Sequence, residues 1–333
     1  MLLVTVLVPA RDEAASLEAC IDAISAQNYP TAALEVIVVV DGASSDDTAG
    51  VASALLAGRG FARTEVLHNP GQGTPSNLNV GLGAARGEVL CRVDARSRIP
   101  PDYVRRCVGI LEARADVAVV GGSQVAVSPR RDALGAGIAR SLNNRWGMGL
   151  SRYRRGAHSG AGDTVYLGAF RTNDLREVGG WDVALATNQD FDLNRRLARR
   201  GLVWFEAGLP VEYVPRSSIG ELYRQYVRFG RWKVRYWRHT GDRPRPRQVA
   251  LLFGVPLAGA VGVTMVSVAA PALRVTLVVA AVGCAAVYEF GGSSRPRGGA
   301  TVHGWAVVAT AAVAVGWLGG AWRELLARGH RNA

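Results

Sequence analysis

The chain lacks the features that hold small secreted or zinc-binding domains together. Among its 333 residues are only four cysteines, and these are scattered rather than closely paired: Cys20, Cys91, Cys107 and Cys284. That spacing excludes a disulfide framework and a cysteine-based zinc site, and it indicates reduced thiols in a cytosolic domain. No Gly-x-Gly-x-x-Gly motif follows the first predicted strand, which disfavours a dinucleotide-binding fold.

Lysine is almost missing too, because Lys233 is the only one and arginine supplies the rest of the positive charge. The formal net charge is +12, and the segment 216–247 is the most basic part of the chain. Its basic residues are Arg216, Arg224, Arg228, Arg231, Lys233, Arg235, Arg238, Arg243, Arg245 and Arg247, against Glu221 and Asp242. Nucleic acid or an anionic membrane surface would suit such a segment.

The sequence that follows the basic segment decides for the membrane and against nucleic acid. Residues 249–273 carry no charge, residues 275–288 are apolar, and residues 302–322 form a third apolar run. Runs of this length predict transmembrane helices, three by our count. The positive-inside rule then places residues 1–247 in the cytoplasm of a plasma-membrane protein with several spans. We therefore expect a catalytic domain (1–215), a basic interfacial segment (216–247) and membrane helices with a basic tail (248–333).

The first hundred residues alternate strand and helix patterns, which predicts an α/β fold with a doubly wound, mostly parallel sheet. Continuous apolar runs at 2–8, 34–40 and 88–93 are typical of strands covered on both faces. Ser44 or Ser45 is the expected cap of the second helix. Asp41 and Asp94 each come directly after a strand, where the ligand crevice of such a sheet lies, so both are expected to face one pocket.

Several motifs, in order, resemble those of family 2 glycosyltransferases with the GT-A fold, in particular the membrane-bound enzymes of exopolysaccharide synthesis. They are Pro9-Ala10-Arg11-Asp12-Glu13, Asp41-Gly42, Asn69-Pro70-Gly71 with Asn79, Asp94-Ala95-Arg96, Gly179-Gly180-Trp181-Asp182, Gln189-Asp190 and Gln225-Tyr226-Val227-Arg228-Phe229. The resemblance covers roughly residues 3–240 and implies transfer of a hexose from a UDP-sugar.

The resemblance also implies roles for individual residues. Asp190 would be the base that takes the proton of the acceptor hydroxyl; the alternative is that it merely caps its helix. The donor would be bound by Pro9, Glu13, Asp41, Asn79, Asp94, Arg96 and Arg228. The acceptor would be bound by Gly180, Trp181, Asp182 and Phe229. The alternative for Asp41 is a plain turn-former before Gly42, and Arg228 and Phe229 also fit an interfacial amphipathic helix.

Arg96 is a departure from the family pattern. It stands where relatives have the second acid of an Asp-x-Asp metal motif, and an arginine cannot ligate a cation. Three interpretations stay open. Asp94 holds Mg²⁺ or Mn²⁺ together with other ligands, Arg96 partly neutralises the donor diphosphate, or Arg96 faces away.

The sequence thus predicts an inverting, UDP-sugar-dependent glycosyltransferase acting on a lipid-linked saccharide, such as a polyprenyl-diphosphate saccharide. Two alternatives stay open at this point. One is a polyprenyl-phosphate sugar synthase, and the other is a non-catalytic membrane scaffold with a decayed site.

Overall fold

The computed structural model describes residues 1–144, 153, 158–254, 256, 257, 260, 264 and 299–327. Of the predicted membrane segments, 275–288 lies outside these residues, and so does most of 249–273.

The strands are β1 (Val4–Ala10), β2 (Leu34–Asp41), β3 (Arg63–Asn69), β4 (Val89–Arg92), β5 (Ser97–Arg98), β6 (Val117–Ala126), β7 (Gly160–Ala161), β8 (Tyr166–Arg171) and β9 (Leu202–Tyr213). The α-helices are α1 (Leu17–Ser25), α2 (Thr48–Leu56), α3 (Thr74–Ala84), α4 (Tyr103–Ala113), α5 (Ala133–Asn143), α6 (Thr172–Glu177), α7 (Gln189–Leu197), α8 (Ile219–Thr240), α9 (Pro246–Val249) and α10 (Ala300–Leu326), with a π-helix at Ala250–Gly254.

Two compact units divide the chain, one formed by Met1–Val125 with Leu150–Val214 and the other by Ala126–Gly149 with Pro215–Ala333. The predicted parallel sheet is the centre of the first unit, where the strands run in the order β3-β2-β1-β4 and pair in parallel. Every residue of β1, β2 and β4 is buried. The continuous apolar runs therefore form strands covered on both faces, as expected.

The sheet continues beyond β4 with antiparallel strands in the order β8-β6-β9-β5, and β7 pairs with β9. β8 pairs directly with β4, and β6 pairs with β8. Gly122 of β6 lies so close to β9 that a Cβ there would be 1.8 Å from the Leu209 carbonyl oxygen. No larger residue fits that contact without moving the backbone. The α/β sheet predicted from the sequence is thus the observed fold.

The second unit contains three helices that pack together: α5, the basic amphipathic α8 and the apolar α10. Within the described residues, α10 is the one helix long and apolar enough to cross a bilayer, by length and composition alone. Its first half contacts α5, where Ser141 and Thr310 share a hydrogen bond of 2.8 Å. Its second half packs on α8, and Glu324 accepts hydrogen bonds from Arg231 and Arg235. Charged side chains of α8 therefore lie directly beside the apolar helix.

Candidate active site

Two of the predicted carboxylates meet at the carboxyl end of β4. Asp94 follows the strand, and Asp190 lies in the first turn of α7. Arg92, the last residue of β4, joins them. Its Nε donates to Asp94 Oδ1 at 2.8 Å, and its Nη1 donates to Asp190 Oδ1. Residues almost a hundred positions apart are thus held in one cluster by a single guanidinium group.

Charge and burial are unequal within this cluster. The side chain of Arg92 is only 6% exposed, whereas Asp94 and Asp190 keep 32% and 41% of their side chains accessible. Burial alone would lower the pKa of Arg92, but the carboxylates of Asp190 and Asp94 outweigh it and raise that pKa, so the guanidinium stays charged. The carboxylates face outward from a fixed buried cation.

The pKa of Asp190 lies above the ordinary aspartate value. Loss of hydration in the cleft is the main cause, and the neighbouring Asp94 carboxylate acts in the same direction. Arg92 and the Trp181 indole N–H oppose the rise. A raised pKa brings a carboxylate closer to what a general base needs.

Trp181 provides a second contact to Asp190, since its indole Nε1–H donates to Asp190 Oδ1 at 3.2 Å. Asn79 of α3 fixes Trp181: the side-chain amide donates to the Trp181 carbonyl at 2.7 Å and accepts from its backbone N–H at 2.8 Å. Gly180, just before Trp181, has φ +64 and lies against Asn79, a conformation that favours glycine. Both polar ends of the Asn79 amide are thus used to hold the tryptophan loop.

Arg96, which stands at the second acid of the family's metal motif, pairs with a carboxylate in this structure. Its Nε donates to both carboxylate oxygens of Glu13, at 2.7 and 2.9 Å. Glu13 and Arg96, in the loops that follow β1 and β4, therefore neutralise each other. The guanidinium of Arg96 is thus engaged by another of the residues predicted to bind the donor.

The loop after β1 is tied to the loop after β2 by side-chain hydrogen bonds. Asp12, at φ 52, accepts from the backbone N–H and the hydroxyl of Ser45, and Ser44 accepts from the backbone N–H of Asp12. The expected helix cap at Ser44 or Ser45 is wrong. Asp47 caps α2, accepting from the Gly50 N–H at 3.2 Å, because the two serines are engaged with Asp12.

Asp41 lies at the end of β2 and is only 3% exposed. Its oxygens accept from the N–H of Ala43 at 3.0 Å, the N–H of Gly73 at 2.6 Å and the Asn77 amide at 3.2 Å. The side chain therefore joins its own turn to the loop between β3 and α3. This is the turn-forming role that the sequence had left as an alternative.

The remaining predicted residues lie apart from these contacts. Pro9 is buried in β1, paired in register with Val39. Asp182 accepts from the backbone N–H of Ala184 at 2.9 Å. Arg228 is exposed on α8, and Phe229 contacts the ring of Tyr226 at 5.3 Å between centroids. Those last two residues belong to the second unit.

No group of three His, Cys, Asp or Glu side chains suited to a metal is found in the described ranges. A site of one carboxylate still fits Mg²⁺ or Mn²⁺, because such ions are often held by one or two carboxylates together with substrate phosphates. Asp94, partly exposed at the strand end, is the residue that suits this arrangement.

Arg92 is the important residue that the sequence analysis missed. The signal was present: Val89-Leu90-Cys91-Arg92 is an apolar strand that ends in a charge. A charged residue in a strand covered on both faces requires a partner, and Asp94 was near in sequence. The second partner, Asp190, was beyond the reach of local patterns.

Together, the α/β sheet, the paired loops at its carboxyl edge and the Asp94–Arg92–Asp190 cluster fit a glycosyltransferase with the GT-A fold. Comparison with family models gives the particular family. The model of "Glycosyl transferase family 2" matches residues 5–173, and that of "Glycosyl transferase family group 2" matches residues 90–314. The chain belongs to glycosyltransferase family 2.

Among curated proteins, the chain is similar to the succinoglycan biosynthesis protein ExoA of Rhizobium meliloti, with 29% identity over 96% of this chain and 94% of that protein. It is also similar to a dolichyl N-acetyl-alpha-D-glucosaminyl phosphate 3-beta-D-2,3-diacetamido-2,3-dideoxy-beta-D-glucuronosyltransferase of Methanococcus voltae, with 23% identity over 68% and 71% of the two chains. Among solved structures, the mannosyltransferase PcManGT of Pyrobaculum calidifontis, in complex with GDP-Man and Mn²⁺, superposes with a TM-score of 0.63. That match has 21% identity and covers 98% of this chain and 88% of the other, so it establishes the fold.

Proposed function

We propose that this protein is an inverting glycosyltransferase that moves a hexose from a UDP-sugar to a lipid-linked saccharide in exopolysaccharide or cell-envelope glycan synthesis. The observation that carries the proposal is Asp190, a partly exposed carboxylate with a raised pKa beside Asp94. Family membership supports glycosyl transfer, and the similarity to ExoA over nearly the whole chain supports exopolysaccharide as the product.

In the proposed reaction, Asp190 accepts the proton of the acceptor hydroxyl as that oxygen attacks the anomeric carbon. The bond from the sugar to the diphosphate breaks, and UDP leaves with the bonding electrons. Inversion follows because attack and departure occur on opposite faces of the sugar. Trp181 and Arg92 keep the Asp190 carboxylate in place through their N–H groups.

The leaving diphosphate carries negative charge that must be stabilised. When bound, a divalent ion held by Asp94 and by diphosphate oxygens would supply that stabilisation. Such an ion needs the nucleotide for most of its ligands, so Mn²⁺ is expected to bind weakly alone and at least about tenfold more tightly with UDP. Calorimetry with and without UDP measures this difference, and equal affinities would contradict a ligand set shared with the diphosphate.

Arg96 offers a test of the same site. Arg96→Asp restores the acidic position of the family motif and frees Glu13 from its partner. We expect tighter Mn²⁺ binding in calorimetry and strict dependence of transfer on the ion. Unchanged Mn²⁺ affinity would show that position 96 faces away from the metal.

Donor and acceptor contacts follow from the same proposal. Pro9, Glu13, Asp41 and Asn79 are proposed for the donor side, and for Arg228 of α8 a role towards the diphosphate rests on the family motif alone. Gly180, Trp181 and Asp182 border the acceptor near the base, with Phe229 on the helix that approaches the membrane. A plasma-membrane location with the catalytic domain in the cytoplasm gives access to both a soluble donor and a lipid-linked acceptor.

The decisive experiment uses the full-length protein in detergent with UDP-glucose or UDP-galactose and extracted lipids. We expect release of UDP and a lipid product one hexose heavier by mass spectrometry. Asp190→Asn should retain UDP affinity within a few-fold and lower turnover at least about 100-fold. A matched change at Asp192, which pairs with Arg196 on the same helix, should lower turnover much less. Normal turnover by Asp190→Asn would move the base elsewhere.

A polyprenyl-phosphate sugar synthase is the second candidate, since the Methanococcus voltae relative bears the name of an enzyme of dolichyl phosphate. The two differ in product chemistry: a sugar linked to lipid monophosphate differs from an extended diphosphate saccharide in mass and in lability to mild acid. GDP-mannose belongs in the same assay, because the solved mannosyltransferase holds GDP-Man. Absence of transfer with every donor would leave the non-catalytic scaffold.

A further inference from the structure

Arg92 is a buried cation in contact with both carboxylates of the site. Its backbone is paired with Leu7 of β1 and Gly168 of β8, in the middle of the sheet. Its guanidinium donates to one oxygen of Asp94 and to one oxygen of Asp190. At 6% side-chain exposure it is covered, so a substrate would meet the carboxylates rather than the arginine.

The geometry of the contact matters as much as the charge. A guanidinium presents several N–H donors in a rigid planar fork, whereas an ammonium group is a point charge. Here Nε serves Asp94 and Nη1 serves Asp190. One rigid group therefore sets the spacing between a residue after a central strand and a residue on a distant helix.

We propose that Arg92 is a positioning residue, which holds the Asp190 carboxylate at a fixed place relative to Asp94 and thereby sets turnover. The inference rests on the proposed function, because it concerns the base of that reaction. The groups around the guanidinium are Asp94 from the strand end, Asp190 from α7 and the phenol of Tyr166 from β8. The first two are its hydrogen-bond acceptors.

A positioning role and a purely structural role differ in what a substitution changes. Loss of the fork leaves the donor contacts in place but lets the base move, so kcat falls while donor KM and UDP affinity stay within about threefold. We expect Arg92→Gln to lower kcat about 30-fold or more. Arg92→Lys keeps the charge without the fork and is expected to recover about tenfold of that loss. This variant also keeps the test available if the glutamine variant does not fold.

Arg171 of the neighbouring strand β8 offers the matched control. It is another arginine of the same sheet, and it donates to the backbone carbonyls of Leu111, Arg114 and Val117. Its ion pair is with Asp174, which is no part of the site. Arg171→Gln should lower thermal stability and leave kcat per folded molecule close to that of the parent.

A double-mutant cycle with Asp190→Asn gives the sharpest test. If Arg92 acts through Asp190, adding Arg92→Gln to Asp190→Asn lowers kcat little further, because the group being positioned is already gone. If the losses in kcat of the two single variants multiply in the double variant, the inference is wrong. It is also wrong if Arg92→Gln alone leaves kcat unchanged. Either result still leaves a transferase with Asp190 as its base. Failure of the proposed function looks different, since wild-type protein would then transfer no sugar or Asp190→Asn would be fully active.

Discussion

At the scale of the residue, the ionisation of Asp190, the proposed base, is set by its neighbours. Asp190 must be deprotonated to accept a proton, and desolvation together with Asp94 raises its pKa above the ordinary aspartate value of about 3.9. The hydrogen bonds from Arg92 and Trp181 limit that rise. The balance of these contacts determines how acidic a medium the enzyme tolerates.

The sign of the pH dependence follows directly. As pH falls through the raised pKa, Asp190 becomes protonated and activity is lost, so the acid limb of kcat/KM lies above that of free aspartate. Trp181→Phe removes one donor to the ionised form and should move the acid limb to higher pH. Profiles of both proteins at saturating metal measure this. A limb that stays in place or moves down in Trp181→Phe would contradict the assigned contact.

Asp41 gives a second prediction, about stability. Three N–H donors, from Ala43, Gly73 and Asn77 of α3, converge on its carboxylate, which is 3% exposed. Asp41→Ala leaves these donors without their acceptor, so we expect the free energy of unfolding to fall by about 1–3 kcal/mol. Asp22→Ala is the control, since Asp22 pairs with Arg59 at the surface with 57% of its side chain exposed, and a change below about 0.5 kcal/mol is expected there.

Denaturant unfolding of both variants makes the comparison. Equal stability of the Asp41 and Asp22 variants would mean that water replaces the lost acceptor, and the turn-forming role would then be minor. UDP affinity measured on the same samples shows whether holding this turn also serves the donor.

At the scale of the element, the sequence predicted the parallel strands well and the antiparallel strands less well. Runs such as Leu34–Asp41 are buried on both faces, and their composition alone indicates this. β5 and β7 are two residues long and exist only because they pair with β9. No local pattern contains such pairing, because the partner lies far along the chain.

The same limit applies to the candidate site. Asp94 was placed after a strand, as the structure has it, and Asp190 was singled out by its resemblance to a family motif. Neither pattern revealed that Arg92 joins them, because that contact spans almost a hundred residues. Likewise, Asn79 was assigned to the donor from its motif. Its two hydrogen bonds to the Trp181 backbone depend on the packing of α3 against the loop that follows α6, which no local pattern predicts.

The packing of α8 on α10 provides an element-scale prediction with a built-in control. Gly320 lies against α8 so closely that a Cβ would be 2.0 Å from the Val227 carbonyl oxygen, whereas a Cβ on Gly319 meets nothing within 4 Å. Gly320→Ala must push the helices apart, at a cost of about 1–3 kcal/mol. Gly319→Ala should be neutral or stabilising by up to about 1 kcal/mol, as expected for alanine in a helix.

Thermal unfolding of the two adjacent variants in the same detergent gives a direct comparison. A lower midpoint for Gly320→Ala alone supports the close contact. Equal midpoints would show that the two helices separate readily and that their packing adds little to stability.

At the scale of the whole molecule, the question is on which side of the membrane the chain ends. Three spans, as favoured by the sequence, would put the basic tail opposite the catalytic domain. Only residues 214–218 separate β9 from α8, too few to cross a bilayer. α8 itself carries too many charges to be a span, so we expect the chain to stay on one side of the membrane from β9 to the end of α8.

The contacts of α10 then locate its end. Tyr223 meets Gly316, Val227 meets Gly320, and Arg231 and Arg235 bind Glu324, in the same order along both helices. The last part of α10 therefore runs beside α8 rather than away from it. Residues 300–315 remain, about 24 Å of helix, which is short for a hydrocarbon core of about 30 Å. α10 is thus expected to lie along the membrane surface with α8, its exposed Val307, Val308 and Val315 towards lipid.

The final prediction follows from this arrangement and from charge. With the end of α10 bound to α8, we expect an even number of membrane crossings, which would leave the basic C-terminal tail on the side that the positive-inside rule prefers. A reporter fused after Ala333 should read cytoplasmic, on the side of a reporter fused before Met1. As a check on the contact, Glu324→Arg should loosen the pairing of α10 with α8 by placing a third cation beside Arg231 and Arg235. A periplasmic reading of the fusion in the parent protein would restore three spans and contradict the packing of α10 on α8.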